Sequence, residues 1–251
     1  MTNPFSLSNK TILVTGASSG IGKAIAIECA GLGATLVITG RNEERLQATQ
    51  ALLQGNGHAI IVADLNLPQG VEKVVAHCTA LSGVVFCAGV GASLPFPFYT
   101  NDKMKTVMEN NFFLSANLCL ELVKNKKMDR DGSSMVFISS ISGTLVSYPG
   151  NAVYSAAKAA LYGLVKGIAI DLAPKRIRVN AVSPAMIETP MVDALEEKVT
   201  KEMLEADRKR YPLGRYGTPQ EVAYAVAYLL SDAAKWTTGT NLIIDGGFTL
   251  L

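Results

Sequence analysis

Histidine, tryptophan and cysteine are scarce in this chain, which has 2, 1 and 4 of them in 251 residues. With only His58 and His77, and no Asp and His pairs at ligand spacing, no metal site is expected. Both histidines read as surface or helix residues. Cys29, Cys78, Cys87 and Cys119 lie far apart without a C-x-x-C spacing, and each is flanked by apolar residues. They read as buried free thiols of a reducing compartment, and a disulfide framework is excluded. Long uncharged apolar runs are also missing: the stretch from Ala24 to Thr39 is broken by Glu28, and the chain enters its first strand at Thr11 without a basic-then-apolar leader. Neither secretion nor a membrane span is expected, and the location reads as cytoplasmic. Lys and Arg number 23 against 21 Asp and Glu, a net charge of +2 that gives no reason to invoke nucleic acid.

Apolar residues make up 49% of the chain and charged residues 18%, the profile of a globular enzyme and not of a disordered chain. Strand-length apolar runs alternate with helical segments. Strands are expected at Thr11–Thr15, Ala34–Thr39, His58–Ala63, Gly83–Cys87, Ser134–Ile138, Ile177–Val182 and Asn241–Asp245. Helices are expected near 21–32, 42–53, 68–79, 104–124, 153–172 and 219–230. This βαβ rhythm predicts a three-layer α/β Rossmann fold with about seven parallel strands. No linker, repeat or composition shift divides residues 1–251, so one domain is expected.

The first strand runs into Thr15-Gly-Ala-Ser-Ser-Gly-Ile-Gly22. Gly16, Gly20 and Gly22 allow a tight turn, a close approach to a pyrophosphate and access to a positive helix terminus, the elements of a dinucleotide site. The spacing differs from G-x-G-x-x-G and lacks the G-K-[ST] ending of a phosphate loop; the alternative is a turn that serves packing alone. The second strand ends Thr39-Gly-Arg-Asn42, with no carboxylate for ribose hydroxyls and an Arg41 whose planar fork can grip a 2′-phosphate. That favours NADP(H), against a plain solvated arginine. Asp64, ending strand three, suits the adenine amino group or a cap of the next helix.

Tyr154 and Lys158 stand four residues apart in Tyr154-Ser-Ala-Ala-Lys158, on one face of a helix. A free phenol titrates near 10, and a neighbouring ammonium is expected to favour its ionised form. Lys158 keeps further donors for ribose hydroxyls. Ser140 follows the strand Ser134–Ile138, where its hydroxyl can orient a carbonyl oxygen and stabilise its developing charge. These groups beside a dinucleotide site are the equipment for moving a hydride to or from a carbonyl carbon.

Over essentially its whole length the chain resembles the short-chain dehydrogenase/reductase family. The matching stretches are Thr15–Gly22, Ala63–Leu65, Cys87–Gly89, Asn110-Asn111, Ile138–Gly143, Tyr154–Lys158 and Asn180–Pro184. The tail, Pro212–Pro219, Glu221–Ala223, Leu229–Asp232, Thr238–Thr240 and Ile244–Gly247, resembles the bacterial 3-oxoacyl-carrier-protein reductase branch. The resemblance implies a catalytic set of Asn111, Ser140, Tyr154 and Lys158. Asn111 would hold a distortion in its helix and a water linking Lys158 to solvent. It also implies cofactor contacts from Gly16, Ser18, Ser19, Gly20, Ile21 and Gly22, from Arg41, Asn42, Asp64 and Leu65, and from Ala88, Gly89, Tyr154, Lys158, Pro184, Ile187 and Thr189. Three departures stand out. Cys87 replaces the asparagine that, in the family's Asn-Asn-Ala-Gly, commonly braces the central sheet, so its hydrogen bonds must be supplied otherwise. The Ser140 to Tyr154 spacing is one residue longer than the commonest, and Ala185 replaces a glycine where the backbone approaches nicotinamide.

Substrate contacts are expected from Leu145, Val146, Tyr148, Met186, Ile187 and Met191, with Phe96–Phe98 at the rim. The segment from Val192 to Arg210, with Val192, Leu195, Val199 and Met203 on one stripe, reads as a lid or as an ordinary amphipathic helix. The reading is an NADPH-dependent reductase of a ketone, with a 3-oxoacyl thioester or similar β-keto compound as the substrate candidate, free or carrier-bound. An NAD(P)-dependent alcohol or sugar dehydrogenase is the alternative, and an inactive cofactor sensor or scaffold the non-enzymatic one. The family resemblance and the apolar faces of helices 104–124 and 153–172 imply a homotetramer.

Overall fold

The computed structural model describes residues 3–190 and 200–250. Met191, Val192, Leu195 and Val199, expected at the substrate mouth and lid, lie outside the described residues. Seven strands form one parallel sheet: β1 (Thr11–Thr15), β2 (Thr35–Gly40), β3 (Ala59–Val62), β4 (Gly83–Phe86), β5 (Ser133–Ile138), β6 (Ile177–Pro184) and β7 (Asn241–Ile244). Their order is β3-β2-β1-β4-β5-β6-β7. The order reverses between β1 and β4, which opens a crevice at their carboxyl ends.

Parallel strands need crossovers, and the crossover helices cover both faces. Along β5, Met135 and Phe137 point to one face and Val136 and Ile138 to the other, so every position of the strand is buried. The first face packs against α3 (Pro68–His77), α5 (Leu114–Lys124) and α7 (Ala152–Leu172), with Phe86 stacked on Phe137 at 4.2 Å between ring centroids. The second packs against α1 (Gly20–Gly31), α2 (Glu43–Gln50) and α9 (Pro219–Leu230). The other α-helices among the described residues are α4 (Asn101–Met108), the short turn α6 (Ile141–Thr144) and α8 (Lys201–Arg208).

The distortion expected at Asn111 in the helix over 104–124 is a π-helical turn at Glu109–Phe113, which stands between α4 and α5. One sequence expectation changes. His58, read as a surface or helix residue, instead joins β2 to the start of β3, because its Nδ1 accepts from the Leu36 N–H at 3.0 Å. The 24 residues Ala152–Lys175 are long and apolar enough to cross a membrane by length and composition. Leu161, Val165, Ala169 and Leu172 of this segment belong to the buried core against the sheet, as expected of the core helix of an α/β fold.

Candidate active site

The carboxyl ends of β1 to β6 open into one cleft of about 900 Å³. All the candidate catalytic and cofactor residues named from the sequence line it. At its floor the glycine turn leaves β1. Gly16 has φ +67°, and a Cβ there would stand 2.9 Å from the Ala88 Cα. A Cβ on Gly22 would collide with the Gly16 carbonyl oxygen, so both positions demand glycine. Ser19 caps α1 without a side-chain hydrogen bond, and no acid stands in the first turn. The N–H groups and positive end of α1 therefore remain available to an anion, and the turn fits the pyrophosphate of a dinucleotide.

At the adenosine end, Asn42 caps α2, its Oδ1 accepting from the Arg45 N–H at 2.8 Å. Arg41, just before this cap, and Arg45, in the first turn of α2, both line the cleft. Arg45 is a contributor that sequence reasoning missed, although its spacing from Arg41 carried the signal. Asp64 does not cap α3, whose N-cap position is Leu67 without a side-chain bond; its Oδ1 accepts from the Asn66 N–H at 3.0 Å in the turn before the helix, and it lines the cleft beside Leu65.

Asn111 is buried, and its Nδ2 donates to the Val107 carbonyl at 3.0 Å. That bond satisfies a carbonyl within the widened turn and stabilises the π-helical distortion. Its Oδ1 accepts from the Val90 N–H at 3.1 Å, fixing the chain that leaves β4. Neighbouring Asn110 instead bonds Thr106 and Asn66 away from this core. A Cβ on Gly89 would stand 3.0 Å from Asn111 Oδ1 and 3.6 Å from Lys158 Nζ, so Gly89 lets these two side chains converge.

Ser140 follows β5 and caps the α6 turn, with Oγ accepting from the Ser142 N–H at 3.1 Å. Ser139 donates to the Lys158 carbonyl at 2.8 Å and pins α7 to the end of β5. From α7, Lys158 Nζ donates to the Ile138 carbonyl at 3.0 Å and stands 5.8 Å from the centroid of the Tyr154 ring. Burial lowers the Lys158 ammonium to about 8. Burial also pushes the Tyr154 phenol up to about 12, while a hydrogen bond with the Ser140 side chain pulls down. The expected depression of the phenol by Lys158 does not appear: desolvation raises the phenol, and the opposing pull comes from Ser140. At neutral pH Tyr154 carries its proton, the form that donates.

The family departures are accommodated. Thr15 Oγ1 accepts from the Cys87 and Ala88 backbone N–H groups at 3.0 and 3.1 Å, which holds the chain at this departure through its backbone. The Cys87 thiol is pushed by burial up to about 12, as expected of a small inert residue. Ala185 packs beside Tyr211 and Tyr216.

The mouth differs from expectation. Tyr148, Met186 and Ile187 line it, but Leu145, Val146, Phe96 and Phe98 do not. Leu145 is 50% exposed, because the loop after the α6 turn carries it outward. Asp207, Arg210, Tyr211 and Phe248, distant in sequence, line the mouth instead. Met203 of the expected stripe is 59% exposed on α8 and is absent from the cleft wall.

A family model described as "Enoyl-(Acyl carrier protein) reductase" matches residues 16–249. A curated relative, the 3-oxoacyl-[acyl-carrier-protein] reductase FabG of Rickettsia prowazekii, is 37% identical over 246 residues, 98% of this chain and 99% of its own. The chain belongs to the short-chain dehydrogenase/reductase family. A tropinone reductase homologue of Arabidopsis thaliana is 35% identical, covering 98% of this chain and 94% of its own. Among solved structures, the short-chain dehydrogenase/reductase "Glucose/ribitol dehydrogenase" of Brucella melitensis superposes with TM-score 0.90 at 33% identity, covering 98% of this chain and 99% of that one. As a short-chain dehydrogenase/reductase, the protein is an NAD(P)-dependent oxidoreductase acting on carbonyl substrates.

Proposed function

We propose that the protein reduces a ketone with NADPH, and that Tyr154 supplies the proton. The observation that carries this reading is the joint opening of Ser140, Tyr154 and Lys158 into the cleft that the glycine turn floors. Gly16 to Gly22 would hold the pyrophosphate, with Ser18, Ser19 and Ile21 in the same turn. Arg41 and Asn42 would hold the 2′-phosphate side, Asp64 and Leu65 the adenine, and Ala88 and Gly89 the adjoining ribose. Pro184, Ile187 and Thr189 would flank the nicotinamide. When bound, the reduced cofactor supplies a hydride to the carbonyl carbon. Ser140 donates to the substrate oxygen and orients it, while Tyr154 transfers its phenolic proton to that oxygen as negative charge develops there. Lys158 donates to a ribose and holds a positive charge near the phenol, which eases the phenolate left behind. Asn111 maintains the widened turn beside Lys158.

The relatives' names support a β-keto compound, a 3-oxoacyl thioester or its analogue, as substrate class. A second reading, oxidation of a polyol or sugar, is favoured by the polar residues Ser93, Asn151, Asp207 and Arg210 on the cleft wall. A panel of acetoacetyl thioesters, small diketones and sugar alcohols, assayed in both directions, separates them. Turnover of the β-keto compounds is expected, and strong turnover confined to polyols overturns the first reading.

Arg41 is expected to set a preference for NADPH over NADH. Losing a charge-assisted contact to a phosphate costs about 1.5–3 kcal/mol, so Arg41→Ala should weaken NADPH about 10- to 100-fold and leave NADH little changed. Fluorescence titration with both cofactors reads this. Equal weakening of the two would remove the phosphate assignment.

The same proposal takes residues 1–251 as one catalytic domain, cytoplasmic in keeping with four free thiols, and a homotetramer. Exposed apolar side chains on helix faces and at the β7 edge support assembly: Phe113, Leu120, Ile170 and Ile243. Light scattering should return four times the chain mass of 26.6 kDa, and a monomer mass would overturn it.

A further inference from the structure

The outer wall of the cleft is built in part by the C-terminal tail. Beyond β7, Asp245 gathers the tail into a tight reversal: its carboxylate accepts from the Gly247 N–H at 3.0 Å, the Thr249 N–H at 2.9 Å and the Thr249 hydroxyl at 2.7 Å. Gly246 and Gly247 take φ of +60° and +83°, the left-handed backbone that this reversal requires. The Leu213 N–H donates to the Gly246 carbonyl at 3.3 Å, tying the tail to the segment after α8.

The reversal delivers Phe248 to the cleft. Its ring centroid lies 4.8 Å from that of Tyr211 and 6.0 Å from that of Tyr148, and all three side chains line the cleft with Tyr154. Arg210 stacks its guanidinium 4.9 Å from the Phe248 centroid, and Asp207 holds that guanidinium through Nη1 at 2.8 Å. Tyr211 is fixed in turn by a hydrogen bond with the Met186 backbone, next to the expected nicotinamide neighbours. Here several hydrogen bonds and a cation–π contact hold one aromatic ring on the wall of the reaction cleft.

We infer that Phe248 is a specificity-determining residue: with Tyr148 and Tyr211 it forms an aromatic wall that packs against the apolar, non-reacting side of the ketone. The inference rests on the carbonyl-reduction reading above. It divides substrates by what flanks the carbonyl. A ketone bearing a flat or bulky apolar group meets the wall, whereas acetone leaves it untouched.

The test compares the parent protein with Phe248→Ala, Phe248→Leu and Phe248→Tyr, using acetone and acetophenone as probe ketones. Steady-state kinetics with NADPH is paired with saturation-transfer NMR of acetophenone on the NADP⁺-loaded protein, which reads binding without turnover. Phe248→Ala is expected to raise the acetophenone KM about tenfold, the scale of one lost aromatic contact, with kcat and the acetone KM nearly unchanged. Its acetophenone saturation signal should fall in step. Phe248→Tyr should keep both properties, and Phe248→Leu, which preserves apolar bulk if the alanine variant does not fold, should lie between. An unchanged acetophenone KM, an equal rise for both ketones, or a full saturation signal in Phe248→Ala overturns the inference, as does the absence of that signal in the parent. If the parent reduces neither ketone, the NMR contrast between parent and variant still decides the wall, and the carbonyl-reduction reading stands or falls on the β-keto panel above.

Discussion

Tyr154→Phe should lower turnover about 10²–10⁴-fold, the range for removing a positioned proton donor, while cofactor affinity stays near that of the parent. The phenol is the group placed to give a proton in this cleft: burial keeps it protonated up to about 12. Phenylalanine preserves the ring and removes only the hydroxyl, so the α7 packing should survive. The shift has a defined sign. The folded value lies above the unfolded one of about 10, so the buried phenol contributes stability that is present below pH 10 and is lost as pH rises toward 12. A phenylalanine ring cannot ionise, so the variant should lack that alkaline loss. Stopped-flow turnover, cofactor titration and melting curves from pH 7 to 11 test the three statements, and a variant with more than half the parent activity removes Tyr154 from the reaction.

Lys158→Met should have two opposite effects, loss of turnover and a gain in thermal stability at neutral pH. The ammonium is almost fully buried, and burial lowers it from 10.5 to about 8. Between those values the unfolded chain binds the proton and the folded one does not, so stability rises with pH across the window from about 8 to 10.5. Below about 8 the full cost of the buried charge is present, on the order of 3 kcal/mol. Methionine fills similar space without that charge but abandons the hydrogen bond to the Ile138 carbonyl, so a net rise in Tm of about 5 °C at pH 7 is expected. The advantage should shrink as pH rises from about 8 to 10.5. Equal melting temperatures at pH 7 would show that the site tolerates the ammonium without strain. A parent-like rate would remove Lys158 from the chemistry.

Local pattern was enough for the architecture. Strands such as Thr11–Thr15 and Ser133–Ile138 are continuous apolar or β-branched runs, because both faces of a parallel sheet are covered, and their ends were placed to within a few residues. The gathering of Gly16, Asp64, Ser140 and Tyr154 in one cleft was legible for a related reason: each directly follows a strand or opens the helix after it, and parallel topology delivers all such positions to one edge.

Long-range contacts decided the rest. The break at Glu109–Phe113 depends on Asn111 bonding both its own helix and the Val90 N–H, a partner that no helical periodicity encodes. The protonation states of Tyr154 and Lys158 follow from how completely the folded chain excludes water from them, so the four-residue spacing identified the pair without giving its balance. Thr15 accepts the Cys87 backbone N–H from a strand far away in sequence. The mouth shows the same limit: the loop between Ser140 and Tyr154 points to Leu145 and Val146, yet Tyr211 stands there from beyond α8 and Phe248 from the tail reversal at Asp245. Sequence by itself determined the sheet, the family motifs and the candidate reacting groups, since these depend on periodicity and on neighbours within a turn or two. The walls around the substrate and the charge states within them were decided by tertiary structure, because burial and packing are properties of segments that meet only after folding.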